Sequence, residues 1–181
     1  MIGLLAVLLA AGAASQAAPA AVHDACQLLT ADEVRAVQEV AVKERKGSVD
    51  QAKALRFAQC VFATSDLTRS VSLTVITGTP SDGAREYWKK TFHPQRSEAA
   101  LAAATRKKEL PRAVPGTGEE AFWTGDKRAG ALYVLSAGIV LRISVGGVTD
   151  EEERIRRSKV LAQAALARLR GIDPDSRSPA L

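Results

Sequence analysis

Residues 131–145 read ALYVLSAGIVLRISV. Two runs rich in β-forming residues, Ala131 to Ser136 and Ile139 to Val145, flank the short Ala137-Gly138 step, which predicts a β-hairpin. A helix is expected directly after it. It starts at Thr149 or Asp150, carries Glu151, Glu152 and Glu153 on its first turn, and buries Ile155, Ala162, Leu166 and Leu169 on one face. Gly171 and Pro174 stop it, and Arg168 and Arg170 sit on its last turn, so acid at the start and base at the end match the helix dipole.

Moving toward the N-terminus, Glu120 to Thr124 is a third β-rich run. It is preceded by a connector, Leu110 to Gly118, that holds Pro111, Pro115, Gly116 and Gly118. Ser97 to Lys108, alanine-rich and basic at its end, reads as weakly helical or as a flap. Pro80-Ser81-Asp82-Gly83 breaks the chain and opens a helix whose apolar face is Ala84, Tyr87, Trp88 and Phe92. Before it, Leu55 to Thr64 and Val71 to Thr77 form a second hairpin; Val71, Leu73 and Val75 alternate with Ser72 and Thr74 as on a half-buried strand.

The first helix carries the most complete start signal. In Thr30-Ala31-Asp32-Glu33 the Thr30 hydroxyl suits the Glu33 N–H and the Glu33 carboxylate suits the Thr30 N–H, a capping box, with Leu29 and Val34 as a hydrophobic staple. Val34, Val37 and Ala41 repeat at helical spacing, and the helix is expected to run through Lys43-Glu44-Arg45-Lys46 and end before Gly47. The order is then α-ββ-α-βββ-α: an α+β domain with an antiparallel sheet covered by helices, spanning residues 24–172. The last residues, 173–181, read as a disordered tail.

Residues 1–20 read as a secretory signal peptide: an apolar run from Met1 to Ala14, then small residues with cleavage near Ala17 to Ala20. No Lys or Arg precedes the apolar run, and the run is shorter than the ~20 residues of a spanning helix. Cys26 has no lipobox before it, so no stable membrane anchor is expected. Export bears on the chain's two cysteines, Cys26 and Cys60. In an oxidising compartment a lone pair in a small domain most often forms one disulfide. Two free thiols or a metal pair are the alternatives, and distant histidines make no recognisable metal spacing.

The net charge of +5 favours anionic surfaces as transient partners. A nucleic-acid surface would concentrate that charge among exposed aromatics, and none is expected here. Gly116-x-Gly118-x-x-Ala121 superficially matches a dinucleotide fingerprint, but it follows a proline-rich connector and leads into strand, so a turn is the better reading. Gly146-Gly147 ahead of four acids, Asp150 to Glu153, would repel a phosphate. Arg154, Arg156, Arg157 and Lys159 read as a solvated, ion-paired helix face. His23 and His93 have no Ser or Cys nucleophile at a defensible spacing, and the carboxylates fall on caps and charged faces. No catalytic residue, cofactor or metal ligand is assigned.

The motif Cys26-x-Leu28-Leu29-Thr30-x-x-Glu33-Val34 resembles the opening of a family of exported bacterial proteins and lipoproteins of unknown function, which carry a second cysteine in the first strand, here Cys60. The connector Val114-Pro115-Gly116-x-Gly118-x-x-Ala121-Phe122 and the helix Leu161-Ala162-x-x-Ala165-Leu166-x-x-Leu169 are similar to later parts of such proteins. The resemblance implies a helix-and-sheet sandwich, like the PsbP-type fold, and supplies no catalytic residues. The expectation is a non-catalytic, periplasmic or secreted binding module that contacts a protein, lipid or small envelope ligand through one sheet face or the loop after the second helix. Trp88, Phe92, Trp123 and Tyr133 are its candidate groove residues. A hydrolase with an unrecognised site and a structural envelope protein are the alternatives.

Overall fold

The computed structural model describes residues 24–78, 83–94, 102, 110–126 and 128–171. The expected signal peptide, the Ser97 to Lys108 segment apart from Ala102, and the tail lie outside the described residues. The chain enters through a 3-10 turn at Ala25–Gln27, capped by the Asp24 carboxylate, and then forms helix α1 at Ala31–Gln38. The capping box is in place: Glu33 N–H donates to Thr30 Oγ1 at 3.1 Å, and Thr30 N–H donates to Glu33 Oε2 at 2.8 Å.

Helix α1 is shorter than its sequence suggests. It ends at Glu39, which takes the left-handed conformation (φ 60°) and donates its N–H to the Arg35 carbonyl. The Lys43 to Lys46 run belongs instead to strand β1, Val42–Ala52. The reason is long-range: β1 pairs along its length with β2, Leu55–Thr64, from Val42 opposite Thr64 to Ala52 opposite Leu55. Sheet hydrogen bonds over that span override the local helical propensity of the Lys, Glu and Arg residues.

The other strands are β3 (Val71–Gly78), the two-residue β4 (Arg112–Ala113), β5 (Glu120–Gly125), β6 (Gly130–Ser136) and β7 (Ile139–Val145). Helix α2 is Gly83–Phe92 and helix α3 is Glu151–Leu169. The strands make one antiparallel sheet in the order β1-β2-β3-β7-β6-β5-β4. The fold is therefore α+β, with an antiparallel sheet covered by helices. Strand β1 and the short β4 are its two edges, and both are additions to the expected element order.

Alternation along each strand sorts the side chains onto two faces. One face carries Cys60 and Phe62, Leu73 and Val75, Leu132 and Val134, Leu141 and Ile143, and Trp123. It is covered by Ile155, Leu161, Ala162, Ala165 and Leu166 of α3, by Val34 of α1, and by Ala25, Leu28 and Leu29 of the entry turn. The other face carries Leu55, Phe57, Ile76, Leu135 and Val140, covered by Ala84, Trp88 and Phe92 of α2. A disulfide joins Cys26 to Cys60, with Cα atoms 5.0 Å apart. Gly47, opposite Cys60 on β1, lies beside it: a Cβ there would stand 3.5 Å from Cys26 Sγ.

The basic group on α3 splits by depth. Arg156 and Arg157 pair with Glu153 at 2.6 and 2.7 Å, and these pairs hold the Glu153 carboxyl down at about 2. Arg154 departs from the expected solvated face. It is 2% exposed and donates to the carbonyls of Val148 and Asp126, which ties the start of α3 to the β5–β6 turn.

Candidate binding face beside the second helix

Registers place two transverse rows on the α2 side of the sheet. Phe57, Ile76, Val140, Leu135 and Glu120 lie side by side in one. The row next to it runs Ser48, Gln59, Thr74, Arg142, Tyr133, Phe122. Helix α2 seats Trp88 and Phe92 against the apolar row. Phe92 stacks on Phe122 with centroids 5.1 Å apart and meets Tyr133 at 5.2 Å. One row is thus a core, while the other combines hydroxyl, amide, guanidinium and aromatic groups.

Arg142 is the cation of this second row. Its Nε donates to the Tyr133 hydroxyl at 3.1 Å, and its guanidinium carbon lies 5.8 Å from the Tyr133 ring centroid. The residue is half-buried, and among the described residues it has no carboxylate partner. Tyr87, from α2, packs at the edge of the same aromatic cluster. Burial, and then the neighbouring Tyr133, push the Tyr87 phenol up, so it stays protonated and able to donate.

At the C-terminal end of α2, Glu120 Oε2 accepts the Trp88 indole N–H at 2.8 Å and meets His93 Nε2 at 2.7 Å. Donation from Trp88, and then from His93, holds the Glu120 carboxyl below its ordinary range. The arrangement fastens α2 to β5. Among the described residues no hydroxyl or thiol is bonded to His93.

Two hollows flank the connector before β5. One, of about 370 Å³, lies between Gly116–Gly118 and the later turns of α3, lined also by Gln163, Leu166, Ala167 and Arg170. The other, of about 190 Å³, lies along residues 113–122. Arg170 is the titratable residue lining the larger hollow, and it donates to Ser136 Oγ at 3.3 Å. Thr117 Oγ1 is buried and has no hydrogen-bond partner among the described residues.

The Gly116-x-Gly118 segment is a turn leading into strand β5, with φ of 77° and 64° at its glycines. A Cβ on Gly118 would meet the Leu135 carbonyl at 2.5 Å, so this glycine is needed for close packing on β6. Gly146 is likewise engaged within the fold, its N–H on Ser70 O and its carbonyl accepting from Gln38.

Of the four candidate groove residues, Trp88, Phe92 and Tyr133 come together on the α2 face. Trp123 lies on the opposite face beneath α3, so the four do not line one groove. Trp88 and Phe92 are buried core, and Tyr133 keeps partial exposure. Arg142 was missed in sequence. Its available signal is a charged residue on the same face as Val140, in the middle of an otherwise apolar run.

Among the described residues, no three His, Cys, Asp or Glu side chains gather to hold a metal ion. No described helix is long and apolar enough to cross a membrane. No protein-family profile matches the chain, and no curated protein sequence is similar to it. Among solved structures it is similar to a GTP-binding regulator from Thermotoga maritima, at 15% identity, with a TM-score of 0.38 over 75% of this chain and 89% of that one. A likeness at that level carries neither fold nor function from one chain to the other.

Proposed function

We propose that the chain is an exported, non-catalytic binding module of the cell envelope, contacting a protein, lipid or small envelope ligand through the sheet face beside α2. The observation that carries this reading is Arg142: a half-buried guanidinium with no carboxylate partner among the described residues, set among tyrosines on that face. Arginine is seldom taken out of water without a pairing group, and a binding surface supplies that group from the ligand. The reading N-terminal to Asp24 and the Cys26–Cys60 bond support a site of action outside the cytoplasm. The resemblance of the opening motif to exported bacterial proteins points the same way.

The test is purification of the full chain from the envelope of its own cells, with native mass spectrometry of what it retains. A bound lipid, small molecule or protein that is lost from an Arg142→Gln variant supports the proposal. Recovery from the cytoplasm, or retention of nothing by the wild type, contradicts it. The His93–Glu120 pair keeps a hydrolase as the second reading. Hydrolysis of ester or peptide substrates that is abolished by His93→Ala and Glu120→Gln would favour it.

A further inference from the structure

We infer that the Arg142 face takes an amphipathic organic carboxylate, its carboxylate on the guanidinium and its apolar part along the exposed edges of Tyr87, Tyr133 and Phe122. This rests on the binding-module reading and gives it a ligand class. A guanidinium has five N–H donors in a planar fork, and the fold occupies one of them, Nε, with the Tyr133 hydroxyl. Among the described residues the two terminal nitrogens have no hydrogen-bond or ion-pair partner. They form the half of the fork that matches the two oxygens of a carboxylate. Because Tyr133 oxygen accepts from Nε, its own O–H remains free to donate to the same ligand.

Charge count selects among anions. In the row Ser48, Gln59, Thr74, Arg142, Tyr133, Phe122 there is one positive charge and no negative one. One guanidinium balances a monoanion, whereas a phosphate monoester dianion calls for a second cation. The flank selects the rest of the ligand. Tyr87, Tyr133 and Phe122 are partly exposed and rest on the buried Trp88 and Phe92, so they form an aromatic wall backed by the α2 core. A wall of this kind beside one charged anchor is the pattern of a site for a ligand with an apolar body and one polar end. Either an acyl or an aryl carboxylate has that chemistry.

Isothermal titration of the oxidised protein at pH 7 with decanoate and with 3-phenylpropionate tests the assignment and separates acyl from aryl sources. At least one should bind the wild type, and Arg142→Gln should weaken it by about ten- to a hundredfold, the loss expected for a charge-assisted pair. Arg142→Lys should recover only part, because an ammonium cannot form the fork, and Tyr133→Phe should cost several-fold. Circular dichroism melts of the variants confirm that each is folded.

Equal binding of decanol, tighter binding of decyl phosphate, or undiminished binding by folded Arg142→Gln would each overturn the assignment. Binding of neither carboxylate would do the same. If the wild type binds no carboxylate yet keeps another ligand from the envelope, the ligand class falls and the binding module stands.

Discussion

Removing the Cys26–Cys60 bond gives the sharpest stability test, because its effect can be worked from the chain itself. The bond closes a loop with a sequence separation of 34 residues. In the chain-entropy relation that loop restricts the unfolded state by about 12–13 cal/mol/K, or roughly 3.8 kcal/mol at 25 °C. The folded state keeps its own hold on the entry turn: Leu28 and Leu29 are 5% and 1% exposed, and burying each stabilises by about 1.5–3 kcal/mol. The Cys26→Ala/Cys60→Ala protein should therefore fold with its entry turn docked, but be less stable by roughly 3–4 kcal/mol. Urea unfolding followed by tryptophan fluorescence, with Trp88 and Trp123 as reporters on opposite faces, measures this. The m-value should rise, because the uncrosslinked unfolded chain exposes more surface. A loss below about 1 kcal/mol with an unchanged m-value would refute the loop-closure argument.

Three further predictions follow from named contacts. Thr30→Ala removes the cap and should cost about 1 kcal/mol. Glu33→Ala should cost more, roughly 2–3 kcal/mol, because it also strips Arg168 of a carboxylate at 2.9 Å in a partly buried pair; thermal unfolding of the two variants compares them directly. Gly118→Ala forces a left-handed alanine onto the Leu135 carbonyl and should cost about 2–5 kcal/mol, while Gly116→Ala, whose Cβ would meet only Lys159 Nζ at 3.9 Å, should cost about 1–2 kcal/mol. In acid, Glu153 is held at about 2 against an ordinary value of 4.5, so its stabilising pairs are complete above pH 4.5 and are lost as the pH falls toward 2. Glu153→Gln should flatten the stability profile over that window and leave its slope above pH 5 unchanged.

What could be read from sequence was whatever had a local or periodic cause. The Thr30–Glu33 capping box, the hairpin about Ala137-Gly138 and the Asp150 start of the last helix rest on contacts within four residues or on period-two burial, and the structure has all three. Strand β1 had no such signal. It is a sheet edge exposed on both sides over nearly its whole length, so Lys43, Glu44, Arg45 and Lys46 show no alternation. Helix α1 stops at a left-handed Glu39 where no glycine advertises a cap. The separation of Trp123 from Trp88, Phe92 and Tyr133 is a matter of strand parity and of which helix covers which face. That becomes visible only when the sheet order is known. Arg142 was hidden for a related reason: a charge in a strand becomes a site only when the residues across from it, Thr74 and Tyr133, are seen to carry no acid.

On the proposed function, the sheet face beside α2, not the hollow against α3, is where this protein meets its ligand. An amide nitrogen–proton shift map of the oxidised protein, titrated with decanoate or 3-phenylpropionate, addresses it directly. Binding at this face gives shifts concentrated at Thr74, Tyr87, Phe122, Tyr133 and Arg142, and Arg142→Gln needs about ten- to a hundredfold more ligand to produce them. Shifts centred on Gly116–Gly118, Gln163 and Arg170, or no shifts at all, would contradict it.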